Sequence, residues 1–117
     1  MKLSEQQSEF ARDVAKLIDY IDESGYSCTL GEAYRTPEQA AIYAKQGKGI
    51  NDSLHCKRLA VDINLFSPKG EYLQDSKSYN PFGIFWESLH PANRWGGNFV
   101  KHGGKINDGN HFERKEL

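Results

Sequence analysis

Hydrophobic positions in the first quarter of the chain recur at helical spacing. Phe10, Val14, Leu17, Ile18 and Ile21 fall on one face of a helix that Ser4 would cap, with Gln7 completing a capping box. Gly25 supplies a left-handed stop. "YSCTLGEAY" then reads as a strand, and "RTPEQAAIYAKQGKG" as a second helix. There Thr36 is the N-cap, Pro37 sits in the first turn, Gln39 completes the box and Gly47 ends the helix. At "LAVDINLF" the period drops to two: Val61, Ile63 and Leu65 share one face, Asp62, Asn64 and Phe66 the other. "SPKG" is a turn and "EYL" a short return strand. "PFGIFWESLH" predicts a short third helix. Strand-like "RWGGNFV" and "NHFE" follow, separated by a Gly-rich polar connection. Helices early and strands late predict an α+β fold with an antiparallel sheet. The 117 residues suit one small domain, 1–117.

Composition narrows the classes. With 38% hydrophobic and 26% charged residues the chain is neither a disordered tail nor a disulfide scaffold. The net charge of −1 comes from mixed acids and bases, with no basic stripe, so no nucleic-acid partner is expected. No stretch approaches the roughly 18 apolar residues of a membrane span. "MKLSEQQSEF" has no apolar run after its Lys, so the expectation is synthesis in the cytoplasm without a signal peptide. Cys28 and Cys56 suit free thiols. Asn51-Asp52-Ser53 matches a glycosylation acceptor but is discounted without a secretory route.

Three polar residues sit where none is needed. Asp62 interrupts the aliphatic strand, although alone it reads as a solvent-facing acid on the far face. His55 lies seven positions upstream in a loop-like stretch, and meets Asp62 only if that loop folds back over the strand's polar face. In "NHFE", His111 and Glu113 face one way and Phe112 the other. His55, Asp62 and His111 together suit zinc, whose catalytic sites typically take three protein ligands and leave a fourth position open. Zinc lowers the pKa of a bound water from about 15.7 to about 7. Asp108, three residues before His111, is then a candidate proton acceptor. Asp108-Gly109 is also a strong turn former, and turns beside strand ends often carry catalytic groups. With four histidines and sixteen acids, spacing alone allows many such triples.

"SLHCKRLAVD" resembles the Ser-x-His-x(6)-Asp signature of zinc peptidases that cut bacterial peptidoglycan, the D-Ala-D-Ala carboxypeptidases and the phage L-alanyl-D-glutamate endopeptidases. "DGNHFE" resembles their second signature, an acid three residues before a His-Phe/Trp pair. "AYRTPEQ" and "WGGNF" resemble family segments in the right order, and the similarity runs from about Thr29 to Glu113. The resemblance implies a hedgehog/D,D-peptidase-like domain, with N-terminal helices packed on an antiparallel sheet that carries one zinc ion. It implies His55, Asp62 and His111 as ligands and Asp108 as general base. An Asp there, where the carboxypeptidases usually have Glu, favours an endopeptidase. Arg35 matches a family arginine that would hold a substrate carboxylate or carbonyl, against the alternative of a surface arginine at a helix start. Ser53 matches the signature serine, expected to orient the His55 loop beside the substrate. Trp95 is either a wall of the cleft or a core tryptophan. Arg58 stands where the carboxypeptidases commonly have Gly, which implies a different loop conformation. Cys56, adjacent to a ligand, is not expected to bind the metal.

The expected function is a monomeric zinc peptidase acting on the peptidoglycan stem peptide, as a phage or prophage endolysin made in the bacterial host cytoplasm and released to the wall. Three rivals remain. They are a D-Ala-D-Ala carboxypeptidase on the same fold, a thiol enzyme using Cys28 or Cys56, and a non-catalytic wall-binding or virion protein.

Overall fold

The structure is a computed structural model and describes residues 1–49, 53–101, 104–105 and 108–117. The Asn51-Asp52-Ser53 sequon therefore begins outside the described residues. Three helices and an antiparallel sheet alternate along the chain: α1 (Leu3–Glu23), β1 (Ser27–Leu30), α2 (Pro37–Lys45), β2 (Ala60–Phe66), β3 (Tyr72–Leu73), α3 (Ser76–Leu89) and β4 (Asn93–Trp95). A two-stranded ribbon of β5 (Val100–Lys101) and β6 (Gly104–Lys105) precedes β7 (His111–Arg114). The fold is α+β as expected, but helices and strands interleave rather than separate.

The main sheet runs β1-β2-β7-β4, with β3 added at Leu65 and Phe66 of β2. Its registers set Asp62 and His111 side by side. Asp62 pairs with His111, Val61 with Phe112, and Arg94 with Glu113. One face therefore carries Val61, Ile63, Leu65, Phe112 and Trp95, all at most 3% exposed. They pack with Phe10, Leu17, Ile21, Phe82 and Trp86 of α1 and α3 into one core. The other face presents Asp62, His111, Glu113 and Arg94. A one-residue slip of β2 would exchange the two sets.

Two helix starts differ from expectation. α1 begins before Ser4: Lys2 is the N-cap, and its backbone N–H donates to the Glu5 carboxylate at 3.2 Å. Gln7 is not part of that cap. Its side-chain amide donates to the Lys57 carbonyl at 2.8 Å, which ties α1 to the turn bearing His55. α3 is not short. Asp75 caps it by accepting from the Ser78 N–H at 3.1 Å, which leaves Pro81 inside the helix. Pro resembles a helix start in sequence, and the single backbone bond it removes is outweighed by burial of Tyr79, Phe82 and Trp86. The second helix starts at Thr36 and stops at Gly47 as read, Thr36 accepting from the Gln39 N–H at 3.1 Å and Gly47 having φ +72°, but among the described residues no Gln39 side-chain bond closes the expected box.

Trp95 lies in this core, 3% exposed, and not on the cleft wall. Its ring fills a slot between glycine backbones: a Cβ at Gly83 would come within 2.1 Å of it, and one at Gly97 within 2.2 Å. The indole N–H donates to Gly109 O at 2.6 Å, which anchors the turn between Asp108 and His111. Gly83→Ala is expected to overpack this slot and destabilise the fold by about 1–3 kcal/mol. Urea unfolding checks it, with unchanged stability the contrary result.

Candidate metal centre

Four local structures bring the donors together. Ser53 Oγ accepts from the His55 N–H at 3.2 Å and caps the short 3-10 turn Leu54–Lys57, so the turn folds back over β2 as the His55 reading required. β2 projects Asp62 beneath it. β7 supplies His111 directly across from Asp62. The turn ahead of β7 supplies Asp108, whose carbonyl accepts from the His111 N–H at 3.1 Å.

Asp62 Oδ1 is 3.4 Å from His55 Nε2 and 3.2 Å from His111 Nδ1. One donor atom from each of the three residues lies within 4.8 Å of the others. For a tetrahedral zinc with bonds of 2.0–2.2 Å, neighbouring donors should stand about 3.3 Å apart. Two imidazoles and one carboxylate at this separation fit zinc, or another divalent ion of similar taste. Cys56 is outside the group; its thiol lies 4.0 Å from the Thr36 carbonyl.

The electrostatics are those of a tightly coupled cluster. Burial alone would raise the Asp62 pKa, but hydrogen bonds from His111 and His55 and their charges bring it to about 2. Burial alone would lower the His111 pKa; its bonds to Asp62 and Glu113 and the charge of Asp108 hold it up at about 9. Asp108 is raised, chiefly by burial, with Asp62 and Glu113 adding and the two histidines opposing. A carboxyl raised in this way is a better proton acceptor near neutral pH.

The His111 shift gives a measurable consequence. A metal ion must displace the proton from the ring, and with a pKa of about 9 the metal-free ring is charged at pH 7. Zinc binding at pH 7 is expected to release about one proton, and affinity should rise as pH climbs towards 9. Calorimetry in buffers of different ionisation enthalpy reads the number directly. Zero release would mean that His111 does not ligate.

Among the described residues, these groups line a cleft of about 710 Å³ that also includes Arg35, Ser53, Arg94 and Asp108. Arg35 is present but engaged: its Nε donates to Glu32 Oε1 at 2.8 Å. Two residues absent from the sequence-based site belong to it. Glu113 Oε1 is 2.8 Å from His111 Nε2, and its carboxylate is also paired with Arg94. Glu32 lies beside His55 and Arg35. The shared face of His111 and Glu113 in "NHFE" was the available signal for the first; nothing in the sequence marked the second.

Arg58 overturns an expectation. Its backbone is left-handed, φ 56° and ψ 37°, the conformation a glycine would favour, and its guanidinium lies 4.0 Å over the Tyr34 ring. The loop thus keeps a glycine-type course despite the arginine, and the stacking offsets part of the left-handed strain.

No protein-family model matches the sequence, and no curated protein matches it. Solved structures do. The L-Ala D-Glu endopeptidase ChiX of Serratia marcescens superposes with a TM-score of 0.63 at 19% identity, over 76% of this chain and 67% of that one. The chain has the fold of the peptidoglycan peptidases. The VanY D,D-pentapeptidase of a VanB-type resistance cassette, in complex with Zn(II), gives 0.61 at 17% identity, over 90% and 70%. The LdcB LD-carboxypeptidase gives 0.59 at 14% identity, over 92% of this chain and 64% of that one. The peptidase fold, with its antiparallel sheet, is the one the two motifs implied.

Proposed function

We propose that the chain is a zinc-dependent peptidase of the peptidoglycan stem peptide, and more specifically an L-alanyl-D-glutamate endopeptidase of phage or prophage endolysin type. The observation that carries this reading is the triangle of His55 Nε2, Asp62 Oδ1 and His111 Nδ1 beside the partly buried Asp108 carboxyl, in an open cleft. Zinc, when bound, would polarise the scissile carbonyl and acidify the attacking water. The chain's own residues do the rest. Asp108 takes the water's proton and delivers it to the leaving amine. Arg35 and Lys48, both on the cleft, suit the carboxylates of an acidic stem peptide. Ser53, which also lines the cleft, caps the His55 turn through its hydroxyl. Action on the wall after synthesis in the host cytoplasm is part of the same proposal.

The choice of bond rests on Asp at position 108. A D-Ala carboxypeptidase is the second reading, favoured by the glycine-type backbone of Arg58, which removes one argument against such a pocket. Mass spectrometry of purified peptidoglycan after digestion distinguishes them. The endopeptidase leaves amino sugars carrying free L-Ala, and chelator abolishes the products. Loss of terminal D-Ala alone would overturn the bond assignment. Absence of any cleavage by zinc-loaded protein would overturn the enzyme and favour a wall-binding protein.

A further inference from the structure

Each histidine of the donor triangle has a Glu–Arg pair behind it. Behind His111 the arrangement is closed: Nε2 lies 2.8 Å from Glu113 Oε1, and Glu113 is held by Arg94, its neighbour across β4 and β7. Behind His55 it is nearly closed. Glu32 Oε1 stands 3.6 Å from His55 Nδ1, while Arg35 holds that same oxygen through Nε at 2.8 Å and through Nη2. The His55 ring is 2% exposed, and among the described residues its Nδ1 has no hydrogen-bond partner.

The backbone delivers Glu32 to this place. Beyond the Leu30–Ile63 pair, the Gly31 N–H donates to Asp62 O at 2.8 Å and the Asp62 N–H donates to Glu32 O at 2.9 Å. Two residues at the end of β1 therefore face one residue of β2, a bulge, and bulges re-aim the side chain beside them. The Arg35 N–H donates to His55 O at 3.2 Å, which stitches this segment to the metal-ligand turn.

We propose that Glu32 is the positioning residue for His55, accepting its Nδ1–H so that Nε2 faces the metal, and that Arg35 clamps Glu32 in that role. The inference rests on the zinc reading above. With Nε2 turned to the donor triangle, Nδ1 must carry the hydrogen, and a buried N–H without an acceptor is destabilising. A shift of less than about 1 Å brings Glu32 into hydrogen-bond range. Ligand histidines are commonly oriented by such a carboxylate, which fixes the tautomer and raises the basicity of the ligating nitrogen. Arg35 then acts on the metal through Glu32, whatever it also does for the substrate.

The test measures zinc affinity by competition with a chromogenic chelator, independently of any cleavage. Glu32→Gln is expected to weaken binding by about 10- to 100-fold. Arg35→Ala should weaken it in the same direction, and the double variant should be scarcely weaker than Glu32→Gln, because the two act as one unit. Glu32→Asp, with the charge kept at shorter reach, should fall between wild type and Glu32→Gln. Glu116→Gln, a cleft carboxylate paired with Lys57, should leave affinity unchanged. In cobalt-substituted protein the visible bands should shift in Glu32→Gln and not in Glu116→Gln. Folded Glu32→Gln with wild-type zinc affinity would overturn this proposal alone. Wild-type protein that binds no zinc would overturn the metal reading and this proposal with it.

Discussion

Asp108→Asn is expected to lower kcat/KM on stem peptide by about 10²- to 10⁴-fold, the usual loss when a general base is removed. The substitution separates chemistry from architecture unusually cleanly. Asn-Gly forms tight turns at least as readily as Asp-Gly, so the turn ahead of β7 survives. The backbone bond from the His111 N–H to the residue-108 carbonyl survives with it. Asp108 is outside the donor triangle, so zinc affinity should stay within a few-fold of wild type. The pH profile carries a second signature. A base must be deprotonated to work, so activity falls as pH drops through its pKa. Burial raises that pKa above the ordinary carboxylate range, and the acid limb should lie correspondingly high. Unimpaired turnover by the Asn variant would make Asp108 a turn residue and nothing more.

Arg114→Met is expected to destabilise the protein by about 3–5 kcal/mol, enough to unfold a marginally stable domain. Arg114 is 2% exposed and points to the core side of β7, where it pairs with Asp13 of α1. It also donates to Glu9 at 2.9 Å and to Asn93 at 3.0 Å. Removing the cation leaves the buried Asp13 carboxylate with only the Asn93 amide at 3.1 Å and the exposed Lys16 at 3.9 Å, which is the expensive way to break an ion pair. Most of the loss should therefore return when Asp13 is replaced as well. Arg114→Met combined with Asp13→Leu should recover to within about 1–2 kcal/mol of wild type in urea unfolding, because apolar replacements of a whole buried pair are often neutral. A double variant as unstable as the single one would place the stabilisation in packing of the arginine stem instead.

The site was legible where local pattern and tertiary role coincide. Strict alternation in "LAVDINLF" placed Asp62 opposite the aliphatic face, and the sheet keeps it there. Convergence with His55 needed the Ser53-capped turn, which only the motif resemblance anticipated. "NHFE" was read as a strand with His111 and Glu113 on one face and Phe112 on the other, and His111, Phe112, Glu113 and Arg114 are all buried. β7 is interior, with helices on one face and the cleft on the other, and both sides of an interior strand are covered however its polarity alternates. Glu113 and Arg114, to which the sequence reading gave no role, are partners of His111 and Asp13. Trp95 was undecidable for a related reason: its slot is made by Gly83 and Gly97, on α3 and on the turn after β4, and no local pattern pairs them. Glu32 was invisible because a bulge, not a sequence period, directs it.

The most direct measurement is anomalous diffraction at the zinc edge from crystals of the zinc-loaded protein. One ion is expected within bonding distance, about 2.0–2.2 Å, of His55 Nε2, Asp62 Oδ1 and His111 Nδ1, with a coordination position open to the cleft beside Asp108. An ion held elsewhere, or bound through His111 Nε2 at the expense of the Glu113 contact, would contradict the site described here.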